Sequence, residues 1–178
     1  MKWILLYAAL IGIVLLAWRG LAQAGETPAV GQPAPAFMLP DQHGKTRRLE
    51  EFGGKWLVLY FYPKDDTPGC TEQACKFRDD LQELTAMGAE VVGVSVDTSA
   101  SHAEFAKKYS LPFPLLADAS GEVAERYGSV MNLYVTKLAK RNTFLIDPQG
   151  RIARVYLKAD TSRNSTEVIA DLKQLAAK

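Results

Sequence analysis

The sequence predicts an α/β fold, a mixed central sheet flanked by helices, and three observations carry that prediction. An apolar run at 56–62, a helical pattern at 70–87 and a second apolar run at 90–96 form a strand–helix–strand unit. A helical crossover of that length joins parallel strands, and the crossover is right-handed. Residues 142–146 and 151–157 are apolar segments joined by Asp147-Pro148-Gln149-Gly150, with Pro second and Gly fourth in a type I turn, which makes an antiparallel hairpin. Finally, 165–177 places Val168, Ile169, Leu172 and Leu175 at helical spacing.

Taken in order, the chain begins with a segment that does not belong to the fold. Lys2 precedes residues 3–18, which carry no charge, and Ala22 and Ala24 fit a small-residue cleavage site. Residues 1–24 therefore read as a signal peptide cut after Ala24, or as an uncut anchor, since the stretch approaches the ~20 residues a membrane span needs. Both outcomes place the remainder outside the cytoplasm, with the Lys2 end inside. Residues 25–35 are a Pro/Gly-spaced lead-in. Residues 37–39 and 46–49 flank a His43-Gly44 turn and read as a hairpin. The run at 56–62 has no polar alternation, the pattern of a central strand covered on both faces.

The helix at 70–87 carries Ala74, Phe77, Leu81 and Leu84 on one side and stops at Gly88. A second helix is expected at 101–109, capped by Ser99 or Ser101, then a short strand at 113–117 and a short helix at 121–127. The domain, 25–178, has 154 residues, enough to bury a core without metals or disulfides. Without Lys2 and Arg19 it holds 19 basic and 20 acidic residues. No basic stripe appears, so nucleic acid is not an expected partner.

The chain has two cysteines, Cys70 and Cys75, and both fall where the first strand gives way to a helix. That is the carboxyl end of a central strand, where open α/β sheets place their sites. A thiol at a helix start faces unpaired N–H groups and the positive end of the dipole, which favour thiolate. On an ideal helix, residues i and i+5 have Cα atoms about 8–9 Å apart, whereas a disulfide spans at most ~7 Å. A pair that meets only in one redox state fits this spacing better than a fixed bridge, which would require a broken helix. Metal binding is not expected: His43 lies in a turn, His102 is expected on an exposed helix start, and neither has zinc-like spacing to the cysteines. A thioredoxin-type Cys-x-x-Cys is absent.

From about residue 31 to the end, the chain resembles the peroxiredoxins, most closely the Q-type group (the bacterioferritin-comigratory proteins). The family's P-x-x-x-[TS]-x-x-C is matched by Pro63, Thr67 and Cys70, and Cys75 matches the resolving cysteine of its helical two-cysteine subgroup. Arg141, within RNTFLID, matches the family's arginine. The resemblance implies a thioredoxin-like fold and no cofactor. It implies reduction of hydrogen peroxide and organic hydroperoxides, recycling by a thioredoxin-like reductant, and a monomer or weak dimer.

Under that resemblance Cys70 attacks the peroxide and becomes a sulfenic acid, and Cys75 condenses with it to a disulfide. The Thr67 hydroxyl, the Cys70 N–H and Arg141 are the expected groups around the reacting oxygens. Pro63 is expected to shape the turn and shield the sulfur. Asp65 and Asp66 would oppose a thiolate unless they turn to solvent. Two other readings stand beside this one: a thiol–disulfide oxidoreductase acting on exported proteins, and a thioredoxin-fold binding module with a structural disulfide.

Overall fold

The computed structural model describes residues 25–133 and 136–176. The leader expected at 1–24 lies outside the described residues, and no helix among those described is long and apolar enough to cross a membrane. Five strands form the central sheet in the order β5 (Leu115–Ala117), β4 (Ala89–Ser95), β3 (Trp56–Phe61), β8 (Thr143–Ile146), β9 (Ile152–Tyr156). β4 and β5 run parallel in sequence from β3, while β8 and β9 are antiparallel. The sheet is mixed, as expected, and β3 lies at its centre.

Each strand splits its side chains between two cores because alternate residues point to opposite faces. Along β3, Leu57, Leu59 and Phe61 pack with Val92, Val94, Tyr127, Phe144 and Ile146. Val58 and Tyr60, with Tyr62 just beyond, pack on the other face with Phe77, Phe105, Leu145, Val168 and Leu172. That second face is covered by α1 (Pro68–Asp79), α3 (Ser99–Tyr109) and α5 (Asn164–Ala176). α2 (Leu81–Ala86) follows α1, and α4 (Glu122–Arg126) lies on the first face. Outside the sheet, β1 (Met38–Pro40) and β2 (Thr46–Arg48) form the expected hairpin, its turn held by Asp41, whose carboxylate accepts the N–H groups of His43 and Lys45.

Three expectations are corrected, and one element goes beyond them. The helix expected at 70–87 starts earlier, at Pro68, and breaks at Asp80, which adopts φ −91°, ψ 2° and accepts a bond from Ser165 of α5. Asp80, like Asp79 before it, is a poor helix former, and Asp80 is the one that makes the tertiary bond. The cap of α3 is Thr98, whose Oγ1 accepts the Ser101 N–H at 3.2 Å, and not Ser99 or Ser101. An antiparallel hairpin, β6 (Val130–Leu133) and β7 (Thr136–Ala139), was not anticipated. Its β6 residues are largely exposed, so hydrophobic alternation does not mark it. His102 is fully buried rather than exposed.

Candidate active site

β3 delivers the chain into a loop, residues 62–67, that ends at the N-cap of α1. Thr67 is extended (φ −91°, ψ 149°), Pro68 and Gly69 fill the first two helical positions, and Cys70 is third. Pro suits that first position because its missing N–H would have no helical partner. The first helical bond is Thr71 N–H to the Thr67 carbonyl, 2.9 Å. The Cys70 N–H therefore precedes the intrahelical ladder and is one of the free donors of the helix start. The Cys70 side chain is 1% exposed.

Arg141 comes to Cys70 from the opposite side, out of the segment before β8. Its Nη2 is 3.3 Å from Cys70 Sγ, and its Nη1 donates to Gln73 Oε1 at 2.8 Å. The backbone holds it there: Arg141 O accepts the Ala159 N–H, and Asn142 O accepts the Phe61 N–H, each at 2.8 Å. Gln73 in turn donates to Asn164 Oδ1 at 3.0 Å, which also accepts the Thr143 hydroxyl at 2.7 Å. Helix start, sheet and α5 thus converge on one guanidinium. Gly69 permits the approach, since a Cβ there would lie 3.3 Å from Arg141 Nη2.

The two carboxylates of the loop do not face the sulfur freely, nor do both turn to solvent. Asp66 is exposed, in the left-handed region at φ 55°, and bonded to Lys108 and Tyr109. Those bonds, Lys108 first, hold its carboxyl below the usual range. Asp65 is buried and accepts from Tyr62 OH (2.8 Å), Ser101 Oγ (2.7 Å) and His102 Nδ1 (2.9 Å). Burial pushes its carboxyl up, but the hydrogen bond and charge of His102, with Ser101 and Tyr62, outweigh this and hold it low. Burial also pushes the Tyr60 and Tyr62 hydroxyls far up, so both stay neutral; Tyr62 donates to Asp65, whereas the buried Tyr60 hydroxyl has no partner among the described residues.

The structure therefore brings Cys70 and Arg141 into contact and sets Thr67 as the helix cap three residues before the thiol. The Thr67 hydroxyl does not cap with its side chain; it donates to Lys64 O at 3.0 Å. Pro63 is half-buried at the start of the loop. Cys75 lies on the same unbroken helix, half-buried, and both thiols are free. Glu72 bonds to Thr161. Gln73, which holds the guanidinium, and Asn164, which holds Gln73, were missed by sequence reasoning. Gln73 had a signal, since a residue three after Cys70 on a helix shares its face; Asn164, ninety residues away, had none.

The AhpC/TSA family model matches residues 30–155. A chloroplastic peroxiredoxin Q from Populus jackii is 48% identical over 126 residues, covering 71% of this chain and 59% of that protein. The chain thus spans somewhat under two thirds of that curated relative's length. A putative peroxiredoxin bcp from Coxiella burnetii is 44% identical over 147 residues, 80% of this chain and 97% of the relative. The crystal structure of peroxidoxin BcpB from Mycobacterium tuberculosis superposes with a TM-score of 0.79 at 35% identity, covering 83% of this chain and 98% of that one. With the motif residues in place on a thioredoxin-like fold, the chain belongs to the AhpC/TSA family, in its peroxiredoxin Q/Bcp group.

Proposed function

We propose that this chain is a thiol-dependent peroxidase that reduces hydrogen peroxide and organic hydroperoxides through Cys70. The observation that carries the reading is the 3.3 Å contact between Arg141 and Cys70 Sγ at a helix start, in a member of the peroxiredoxin Q/Bcp group. Charge on the sulfur is met by the guanidinium and by the helix N-terminus. As the thiolate attacks one peroxide oxygen, the S–O bond forms, the O–O bond breaks and the other oxygen leaves as hydroxide or alkoxide, taking a proton to give water or alcohol. Arg141 and the Cys70 N–H are placed to stabilise that developing charge, in the manner of an oxyanion hole. Thr67 Oγ has committed its own proton to Lys64 O, so its lone pairs are left to accept the peroxide O–H and fix its orientation. Pro63 restricts water at the mouth of the site and offers no competing N–H.

Cys70 then carries a sulfenic acid. Cys75 attacks its sulfur, the S–S bond forms and water leaves. With both residues on α1 and their Cα atoms about 8–9 Å apart by helix geometry, this step requires part of α1 to unwind. A thioredoxin-like dithiol then reduces the disulfide by exchange. Against the reading as a thiol–disulfide oxidoreductase stands the burial of Cys70, which a bulky protein disulfide cannot reach without the helix opening. The leader composition supports a domain that works outside the cytoplasm, released from or tethered to the membrane by residues 1–24; the resemblance to the Q-type group supports a monomer or weak dimer.

The test is substitution of each cysteine. Cys70→Ser should abolish peroxide consumption; Cys75→Ser should allow one rapid oxidation and no disulfide. Equal partial losses from both would contradict the assigned roles.

A further inference from the structure

The peroxidase chemistry above leaves one buried polar cluster unused, and it lies against the loop that shapes the site. Asp65, at the middle of residues 62–67, is fixed through both its side chain and its backbone. Its carboxylate accepts from Tyr62, Ser101 and His102, while its N–H donates to Asp97 Oδ2 at 2.8 Å. Asp97 is held in turn by the Ser95 hydroxyl at 2.7 Å. His102 is fully buried, its Nδ1 is committed to Asp65, and its Nε2 has no partner among the described residues. Leaving a buried ring nitrogen unsatisfied costs free energy. A core built only for stability would have an apolar side chain here.

The partners of the loop share one stripe of α3. Ser101, His102, Phe105, Lys108 and Tyr109 recur at the three- and four-residue spacing of a single helix face. Ser101 and His102 hold Asp65, Lys108 and Tyr109 hold Asp66, and the Phe105 ring sits 6.2 Å from that of Tyr62 between them. Those bonds hold Asp66 at φ 55°, a conformation non-glycine residues seldom adopt. Pro63 and Thr67 flank Asp65 in the same loop, and Thr67 caps the helix that carries Cys70, so the loop's shape sets where both lie relative to the thiol.

We infer that Asp65 is a positioning residue for peroxide reduction: clamped by His102 and Ser101 of α3, it holds the Pro63–Thr67 loop in the shape that receives the peroxide before the peroxide arrives. It acts through Thr67 and Pro63 and does not touch the reacting atoms. This deepens the peroxidase reading and rests on it. Its signature is selectivity between reagents. Peroxide reduction depends on the oriented pocket, where misplacement by about 1 Å costs about 100-fold. Alkylation of the same sulfur by iodoacetamide uses no such pocket and reports only its reactivity and access.

The experiment uses the full chain carrying Cys75→Ser, so that Cys70 is the sole thiol. Rate constants with hydrogen peroxide and with iodoacetamide are measured for Asp65→Ala, Asp65→Asn, Ser101→Ala and His102→Ala. Asp65→Ala and His102→Ala should each slow the peroxide reaction about 10-fold or more, with alkylation changed less than about twofold. The double variant should be no slower than either single one, as expected of a unit. Asp65→Asn, which keeps an acceptor for His102, should recover most of the rate. Ser101→Ala, the mildest change and the one that decides if the others fail to fold, should cost about threefold in peroxide rate alone. Parallel losses with both reagents, or an unchanged peroxide rate, would overturn the inference. A parent protein that reacts with peroxide no faster than a free thiol would instead sink the peroxidase reading and this one with it.

Discussion

Replacing Arg141 by Met keeps the length of the side chain and removes its charge and donors. At 3.3 Å from Cys70 Sγ, a guanidinium and a thiolate attract by about 5 kcal/mol at an effective dielectric of ~20. Desolvation of both groups offsets part of this. Loss of one preorganised donor to a developing negative charge costs about 2.7–4 kcal/mol elsewhere. The Arg141→Met variant should therefore react with hydrogen peroxide about 100- to 1,000-fold more slowly, measured by competition with a reporter peroxidase for limiting peroxide. Gln73 Oε1, buried and relieved of its donor, should lower stability by about 1–3 kcal/mol as well, so the rate is measured where the variant is fully folded. Arg141→Lys should fall between, because an ammonium cannot serve Cys70 and Gln73 with a planar fork. A loss of less than threefold in Arg141→Met would refute the electrostatic role.

Gly69→Ala tests the same contact by crowding. The new methyl would stand 3.3 Å from Arg141 Nη2 and 3.5 Å from Thr161 Cγ2, and the backbone there is not left-handed. Thermal stability should hold or rise by up to about 1 kcal/mol from helix propensity, while the peroxide rate falls about 3- to 10-fold; a stability loss with unchanged rate would be the wrong pattern. Phe77→Ala empties a fully buried position under α1 and should cost about 3–5 kcal/mol in urea unfolding. For Asp65, the folded carboxyl titrates below its unfolded value, so its contribution is complete above about pH 3.9 and is lost as pH falls through the lower folded value. The stability gap between the parent and Asp65→Asn should be widest near neutrality and close below about pH 4. A gap that widened on acidification would reverse the sign of the argument.

Elements whose burial writes a period into the sequence were legible before the structure. β3 and β4 are covered on both faces and read as unbroken apolar runs; the Asp147–Gly150 turn and the β1–β2 hairpin carry their own turn chemistry. The β6–β7 hairpin is solvated along most of its length, so no hydrophobic pattern marked it. The break at Asp80 coincides with a bond to Ser165, a tertiary partner that no local signal announces. The site divides the same way. Cys70 is marked by its place where a strand gives way to a helix, while Thr67 and Pro63, in the same turn-and-helix segment, take their roles from the family motif. Arg141 came only through family resemblance, and its supports Gln73 and Asn164 become neighbours only when α1 and α5 pack. His102 was misplaced on the surface because α3 buries the face on which it lies, where Asp65 supplies the partner.

The most direct test of the central claim is a stoichiometric titration followed by peptide mass analysis. Trypsin cuts after Lys64 and Lys76, leaving both thiols on one peptide, 65–76. After a single equivalent of hydrogen peroxide and quenching with an alkylating reagent, that peptide should be lighter than its reduced form by two hydrogens and should take up no reagent. Recovery of the doubly alkylated peptide, with peroxide left unconsumed, would contradict the account.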